Sequence, residues 1–266
     1  MLGLLAAAAL AAAPAWAPAD PERVMVIDTN KGRIVVLLQP ELAPVHVVRM
    51  QTLARRHFFD GQTFFRVIGP FMDQTGDPQN KGDEGGSDLP NLKAEFTFRR
   101  SAATPFAPVA RPQGEVDGFV GAMPVKSQPD SLMALSKTQT ASAWATYCPG
   151  VVGMARDEGE DTANSQFFLM REAYPSLDKR YTAFGRVVQG LDVVRAIKTG
   201  EPVPQPQDRM LSVRLASDLP EAQRPRVEMQ DTAGAAWRRM VAQARARRGA
   251  DFSLCDLEPP ARVAPR

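Results

Sequence analysis

Four residues close together in the chain, Arg66, Phe71, Met72 and Gln74, combine a guanidinium, two large apolar side chains and an amide. Arg66 lies in Gln-Thr-Phe-Phe-Arg-Val-Ile, a β-branched and aromatic run that reads as a strand. Gly69-Pro70 breaks the run, and Phe71 to Gln74 resumes it before the Gly76-Asp77-Pro78 turn. Asp60-Gly61 marks a reversal ahead of it, since Gly accepts the positive φ of a tight turn. If the two short strands pair, the cation, the apolar groups and the amide meet on one surface. Strand alternation then sets Arg66 on the opposite face from Phe65 and Val67. Other chemistries have little support. His46 and His57 are the only histidines, and neither has a Cys or carboxylate cluster at ligand spacing, so no metal site is expected. Capping or surface roles suit them better, and no Gly-x-Ser-x-Gly elbow accompanies either to make a hydrolase.

The elements that must hold this surface follow in order. Val24–Thr29 and Gly32–Leu38 flank Asn30-Lys31 as a hairpin. Leu42 to His57 carries Val45, Val48, Met50 and Leu53 at helical intervals, with Pro40 and Pro44 at its entrance. Gly82 to Ser87 is a glycine-rich surface loop without the Gly-Lys-Ser/Thr ending of a phosphate loop. Gly150–Arg156 and Ala163–Leu169 are strand-like and joined by the polar loop Asp157 to Thr162. Gly190 to Lys198 reads as a second helix and Met210 to Leu215 as a closing strand.

The run F-x-R-V-I-x-x-F-M-x-Q-x-G-D from Phe64 resembles the cyclophilin family, the β-barrel peptidyl-prolyl cis-trans isomerases. One departure is Gly69-Pro70, where the family usually has Pro-Gly. Asn164-Ser165-Gln166-Phe167-Phe168 is similar to the family's N-S-Q-F-F. Leu92 to Phe96 resembles its short acidic-aromatic segment. Ser176-Leu177-Asp178-Lys179-Arg180-Tyr181 resembles W-L-D-G-K-H, with Ser for Trp, Lys for Gly and Tyr for His. The match spans roughly Val24 to Leu219, apart from Arg99 to Tyr147, where the family has a short link. That stretch has no strong period; it reads as a long loop insertion that either folds over the active site as a flap or decorates the surface. Phe106, Phe119, Met123 and Trp144 suggest that parts of it pack down.

The resemblance implies a mainly β fold: a closed eight-stranded antiparallel β-barrel capped by two α-helices, with the insertion and a C-terminal extension. It implies rotation about X–Pro peptide bonds. Arg66 would donate to the prolyl nitrogen of the twisted amide, and Phe71, Met72, Phe168, Leu177 and Tyr181 would hold the proline ring. Gln74 would orient Arg66 or bind a substrate carbonyl, while Ala155, Arg156 and Gln166 would contact substrate backbone. Ser176 implies a wider rim and weak binding of cyclosporin-like inhibitors. No cofactor is needed, because rotation involves neither redox nor group transfer. A rival reading is a non-catalytic peptide-binding holdase that uses the groove and the Met-containing insertion.

Residues 1–17 read as a signal peptide: an apolar run ending in Ala15-Trp16-Ala17, the small-x-small pattern of a cleavage site. The reading is therefore an exported, periplasmic protein; the alternative is an uncleaved segment that holds it at the membrane. The barrel domain is assigned to residues 23–219, with the insertion at about 99–147, and the C-terminal extension to 220–266. Ala233 to Arg248 reads as an amphipathic helix docked on its own domain through Trp237, Met240 and Val241. In an exported protein the even pair Cys148 and Cys255 suggests a disulfide tying both additions to the barrel. With 44% hydrophobic and 23% charged residues and a net charge of +2, bulk charge does not point to nucleic acid. The expected partners are proline-containing peptides and unfolded exported proteins, with no membrane contact after cleavage and a monomeric state.

Overall fold

A computed structural model describes residues 16–79 and 85–265. The strands are β1 (Trp16–Pro18), β2 (Val24–Thr29), β3 (Gly32–Leu38), β4 (Arg66–Ile68), β5 (Met72–Thr75), β6 (Phe98–Ser101), β7 (Phe106–Ala110) and β8 (Val116–Val120). They continue as β9 (Met123–Ser127), β10 (Thr140–Ala145), β11 (Val151–Met154), β12 (Phe167–Met170), β13 (Ala183–Gln189), β14 (Met210–Leu215), β15 (Val227–Gln230) and β16 (Ala261–Val263). The α-helices are α1 (Pro44–Arg55), α2 (Asp130–Leu135), α3 (Leu191–Ala196) and α4 (Ala235–Arg248). Residues 1–15, most of the segment read as a signal peptide over 1–17, and residues 80–84 of the glycine-rich stretch lie outside the described residues.

Eight strands form one antiparallel sheet in the order β14-β2-β3-β13-β11-β12-β5-β4. Its edges meet through the segment before β4 rather than through a strand ladder: Gly61 N–H donates to Met210 O (2.8 Å), and Met210 N–H donates to Gln62 O (2.9 Å). Phe64 N–H donates to Asp208 O (2.9 Å), which completes the curl. Alternation sends Ile27, Ile34, Val36, Val67, Phe167, Leu169 and Phe184 inward, where α1 (Val47, Met50, Leu53) and α3 (Val194) close over them. Asp73 is buried on this inner side and accepts from Arg171 Nη1 at 2.9 Å; Arg171 also donates to Val194, Ile197 and Arg195 carbonyls, pinning the end of α3. Burial pushes the Asp73 carboxyl up to about 7 despite that guanidinium.

The insertion is not a loop. Residues 98–145 build a second antiparallel sheet, β6-β10-β9-β8-β7, with the short α2. Sequence periodicity misses it because its strands are only 4–6 residues long and rich in Ala, Ser and Pro. Pro108, for instance, sits exposed on the edge strand β7, where a missing N–H costs nothing. Phe119, Val120, Met123 and Val125 pack with Met72, Phe168 and Met170 of the barrel in one apolar cluster. Trp237 of α4 enters the same cluster, edge-on to Phe119 at 5.4 Å. The C-terminal extension is more than a helix: β15 pairs with both β1 and β16 in a small sheet against the outside of β2 and β3. Cys148 and Cys255 form a disulfide across a sequence separation of 107. In the chain-entropy model a loop of that order contributes roughly 4–5 kcal/mol.

Helix α1 lacks a capping side chain of its own, because Ala43 holds the N-cap position. Glu95 supplies the cap from across the chain, accepting from Val45 N (3.3 Å), His46 N (3.1 Å) and the His46 ring Nδ1 (2.7 Å). His46 is thus a buried partner in the cap rather than a surface residue. Burial alone would raise the Glu95 carboxyl, but the His46 ring and the two backbone donors outweigh it and hold it below the ordinary value of 4.5. A carboxyl lowered on folding stabilises above its unfolded pKa, and the gain is lost as pH falls through the folded one. Glu95→Gln should therefore flatten the acid side of the stability–pH curve below about pH 4.5 and cost about 1 kcal/mol at neutral pH. Denaturant titrations at stepped pH measure this, and parallel curves for both proteins would refute it.

Candidate active site

The site is a row of residues set by strand register. Arg66 on β4 lies opposite Gln74 on β5, Gln74 opposite Phe168 on β12, and Phe168 opposite Gly153 on β11. All four share the outer face of the barrel. The adjacent row, Val67, Asp73, Leu169 and Val152, points inward and is buried. Gly153 keeps the row passable: a Cβ there would stand 2.6 Å from the Phe168 ring and 2.8 Å from the Tyr147 hydroxyl.

A hydrogen-bonded chain runs along the row. Arg66 Nη1 donates to Gln74 Oε1 (3.2 Å), Gln74 Nε2 to Gln166 Oε1 (2.9 Å), and Gln166 Nε2 to Gly85 O (2.9 Å). The remaining bond of the guanidinium goes from Nε to Glu201 Oε1 at 2.5 Å. Nη2 makes no hydrogen bond among the described residues. Beside it opens a cavity of about 200 Å³ lined by Arg66, Gln74, Phe168 and Met72, with Phe71, Leu177, Tyr181, Ala155 and Arg156 completing the wall. Of the ten site residues expected from the sequence, only Gln166 is outside this lining. It faces an adjoining polar cavity of about 470 Å³ shared with Gly85, Ser87 and Asn164.

The aromatic wall is braced from both sides. The Phe168 ring stacks on Tyr147 (5.8 Å) and meets the edge of Tyr181 (5.9 Å), and Phe71 leans on Tyr174 (4.5 Å). Arg156 does not reach into the cavity as a free cation. Its guanidinium lies 4.7 Å over the Tyr181 ring and donates to the carbonyls of Arg180 and Asp157. Ala155 N–H is already bonded to Gln166 O (2.9 Å). Lys179, which replaces a family glycine, takes φ +61, and its ammonium sits 3.5 Å above Trp144 of the insertion. Next to it Asp178 accepts from Thr146 Oγ1 (2.7 Å) and Tyr147 N (3.0 Å). The insertion thus supports the wall from behind. None of the cavity-lining residues belongs to it, so it is not a flap.

Residues 24–215 match the family model described as cyclophilin type peptidyl-prolyl cis-trans isomerase/CLD. The chain belongs to the cyclophilin family. It is thereby an isomerase of X–Pro peptide bonds. A probable peptidyl-prolyl cis-trans isomerase of Brucella suis is 33% identical over 192 residues, covering 68% of this chain and 74% of the relative. The crystal structure of a cyclophilin from Hirschia baltica superposes with a TM-score of 0.84 at 31% identity, covering 94% of this chain and 95% of that one. That likeness reaches beyond residues 24–215 into the C-terminal extension. A cyclophilin-type isomerase of Cryptosporidium parvum, solved in the presence of the dipeptide Ala-Pro, shares the fold at a TM-score of 0.50 and 17% identity, covering 72% of this chain and 98% of that one.

Sequence reading passed over Tyr147, Gly153 and Glu201. Tyr147 closes an aperiodic segment, and Glu201 is joined to Arg66 by register alone. The Tyr147 hydroxyl is fully buried without a hydrogen-bond partner among the described residues, and burial pushes its pKa well above the ordinary value. Since the unpaired hydroxyl contributes only a desolvation cost, Tyr147→Phe should be neutral or stabilising. Tyr147→Ala removes the support under Phe168 and should cost about 3–5 kcal/mol and raise KM for a prolyl peptide. Thermal unfolding with peptide kinetics checks both, and equal behaviour of the two variants would exclude the bracing role.

Proposed function

We propose that this cyclophilin catalyses rotation by donating Arg66 Nη2 to the prolyl nitrogen of the twisted amide. Resonance raises the rotation barrier to about 20 kcal/mol, and at the top of it the nitrogen regains a lone pair. A donor fixed where that lone pair develops binds the twisted amide better than either planar form. The observation that carries this is the guanidinium's bonding. Nε and Nη1 are held by Glu201 and Gln74, while Nη2, beside the apolar cavity, has no partner among the described residues. In this reading Phe71, Met72, Phe168, Leu177 and Tyr181 receive the proline ring, and Gln166 and the Ala155–Arg156 backbone hold the flanking peptide. The Ala-Pro dipeptide used with the Cryptosporidium parvum isomerase is the same kind of ligand.

Exchange spectroscopy on a short Ala-Pro-Phe peptide tests the assignment. Arg66→Ala should lose at least about a hundredfold in kcat while still binding peptide. If neither protein accelerates exchange although both bind, the groove is a holdase surface instead.

The clients are proposed to be unfolded exported proteins. The support is the apolar run ending in Ala15-Trp16-Ala17 and the Cys148–Cys255 disulfide, which an oxidising compartment favours. Cleavage after Ala17 would remove Trp16 and Ala17 from β1. The intact mass of the mature protein, expected to begin at Pro18, reads the site; retention of Met1 would point to an uncleaved anchor.

A further inference from the structure

We infer that Glu201 is a positioning residue for Arg66, extending the active-site row by one place beyond the barrel edge; the inference rests on Arg66 being the donor. The segment after α3 behaves as an extra strand beside β4. Val67 and Gly200 exchange both backbone hydrogen bonds at 2.8 Å, and Val203 N–H donates to Phe65 O at 3.0 Å. Pairing Val67 with Gly200 antiparallel sets residue 201 opposite residue 66, so the contact is fixed by register. The row then reads Glu201, Arg66, Gln74, Phe168.

The segment is anchored well enough to hold that place. The Asp208 carboxylate accepts from Lys198 N (2.8 Å) and Asn30 Nδ2 (2.6 Å), and Lys198 Nζ donates to Pro204 O (2.9 Å). A guanidinium on a long, mobile stem is fixed only when gripped on more than one side. Gln74 grips Nη1 from one neighbouring strand and Glu201 grips Nε from the other. Together they aim Nη2 at the cavity, and removing either leaves the plane free to turn. Misplacing a donor by about an ångström has large effects on rate but little on ground-state binding.

The pair is partly exposed, with 38% of the Arg66 side chain and 54% of the Glu201 side chain accessible, so salt should screen it. This separates positioning from mere structure. Exchange kinetics on the Ala-Pro-Phe peptide at low salt should show kcat lowered roughly tenfold in Glu201→Ala with KM within about twofold. Glu201→Gln should lie between, because the amide oxygen still accepts from Nε, and melting temperatures should stay unchanged. Wild-type kcat should fall as salt rises while that of Glu201→Ala stays flat. In an Arg66→Ala background, Glu201→Ala should add nothing. A wild-type kcat in Glu201→Ala and Glu201→Gln, with Arg66→Ala inactive, overturns the inference alone. An active Arg66→Ala instead overturns the assignment of Arg66 on which it stands.

Discussion

The site depends on one constraint, the register of the strands on the Arg66 side of the barrel. With a side-chain period of two, fixing β4, β5, β12 and β11 against one another decides which residues face out together. Arg66, Gln74 and Phe168 form the outer row; Val67, Asp73 and Leu169 form the inner one. A slip of one residue would bury the guanidinium and expose the core. The core favours the register, since Phe167 and Leu169 are fully buried among the inner residues of the barrel. The Asp73–Arg171 pair favours it too, because this alignment joins β5 to the end of β12 and to the carbonyls closing α3. Breaking a buried pair on one side leaves an uncompensated charge, so it specifies alignment more than it adds stability.

The additions outside the barrel act on this frame rather than on the substrate. The insertion meets the barrel through the face that carries Met72, Phe168 and Met170, at the back of the aromatic wall. Its Tyr147 and Trp144 lie under Phe168 and Lys179, and α4 covers its far side through Trp237. The disulfide joins Cys148, directly after the Tyr147 brace, to the tail. The contacts therefore run in sequence from tail to insertion to aromatic wall. A catalyst that must favour a twisted amide over planar ones gains from such stiffness, because a yielding wall would fit every form equally.

Much of this was legible in the sequence, and the boundary of legibility is physical. The hairpin 24–38, the helix from Pro44 and the strand 210–215 announce themselves through strong local patterns. The cavity residues follow from motif resemblance, with Gln166 set one place aside in the neighbouring polar cavity. The five-stranded insertion was illegible because short strands of Ala, Ser and Pro carry almost no alternating signal. β1, β15 and β16 were missed for a related reason: strands of three or four residues carry little local pattern, and β1 pairs with β15 across more than two hundred positions. Arg156 was placed in the right wall, but its guanidinium goes to Tyr181 and backbone carbonyls, a preference visible only once Tyr181 is seen beside it.

Lys179 and Tyr181 show how departures from a family pattern can be absorbed. A lysine at φ +61 carries steric strain that glycine would not, and its ammonium is compensated by a face-on contact with Trp144, which the family's short link could not provide. Tyr181 keeps an aromatic edge against Phe168, and its outer face is occupied by Arg156. Both substitutions depend on partners outside the motif, one in the insertion and one on the next strand's continuation. The wall is thus a joint product of barrel and insertion. Grafting the motif residues alone onto a barrel without the insertion would leave Lys179 strained and Phe168 unsupported, so the insertion belongs to the architecture of the site although it touches none of the cavity.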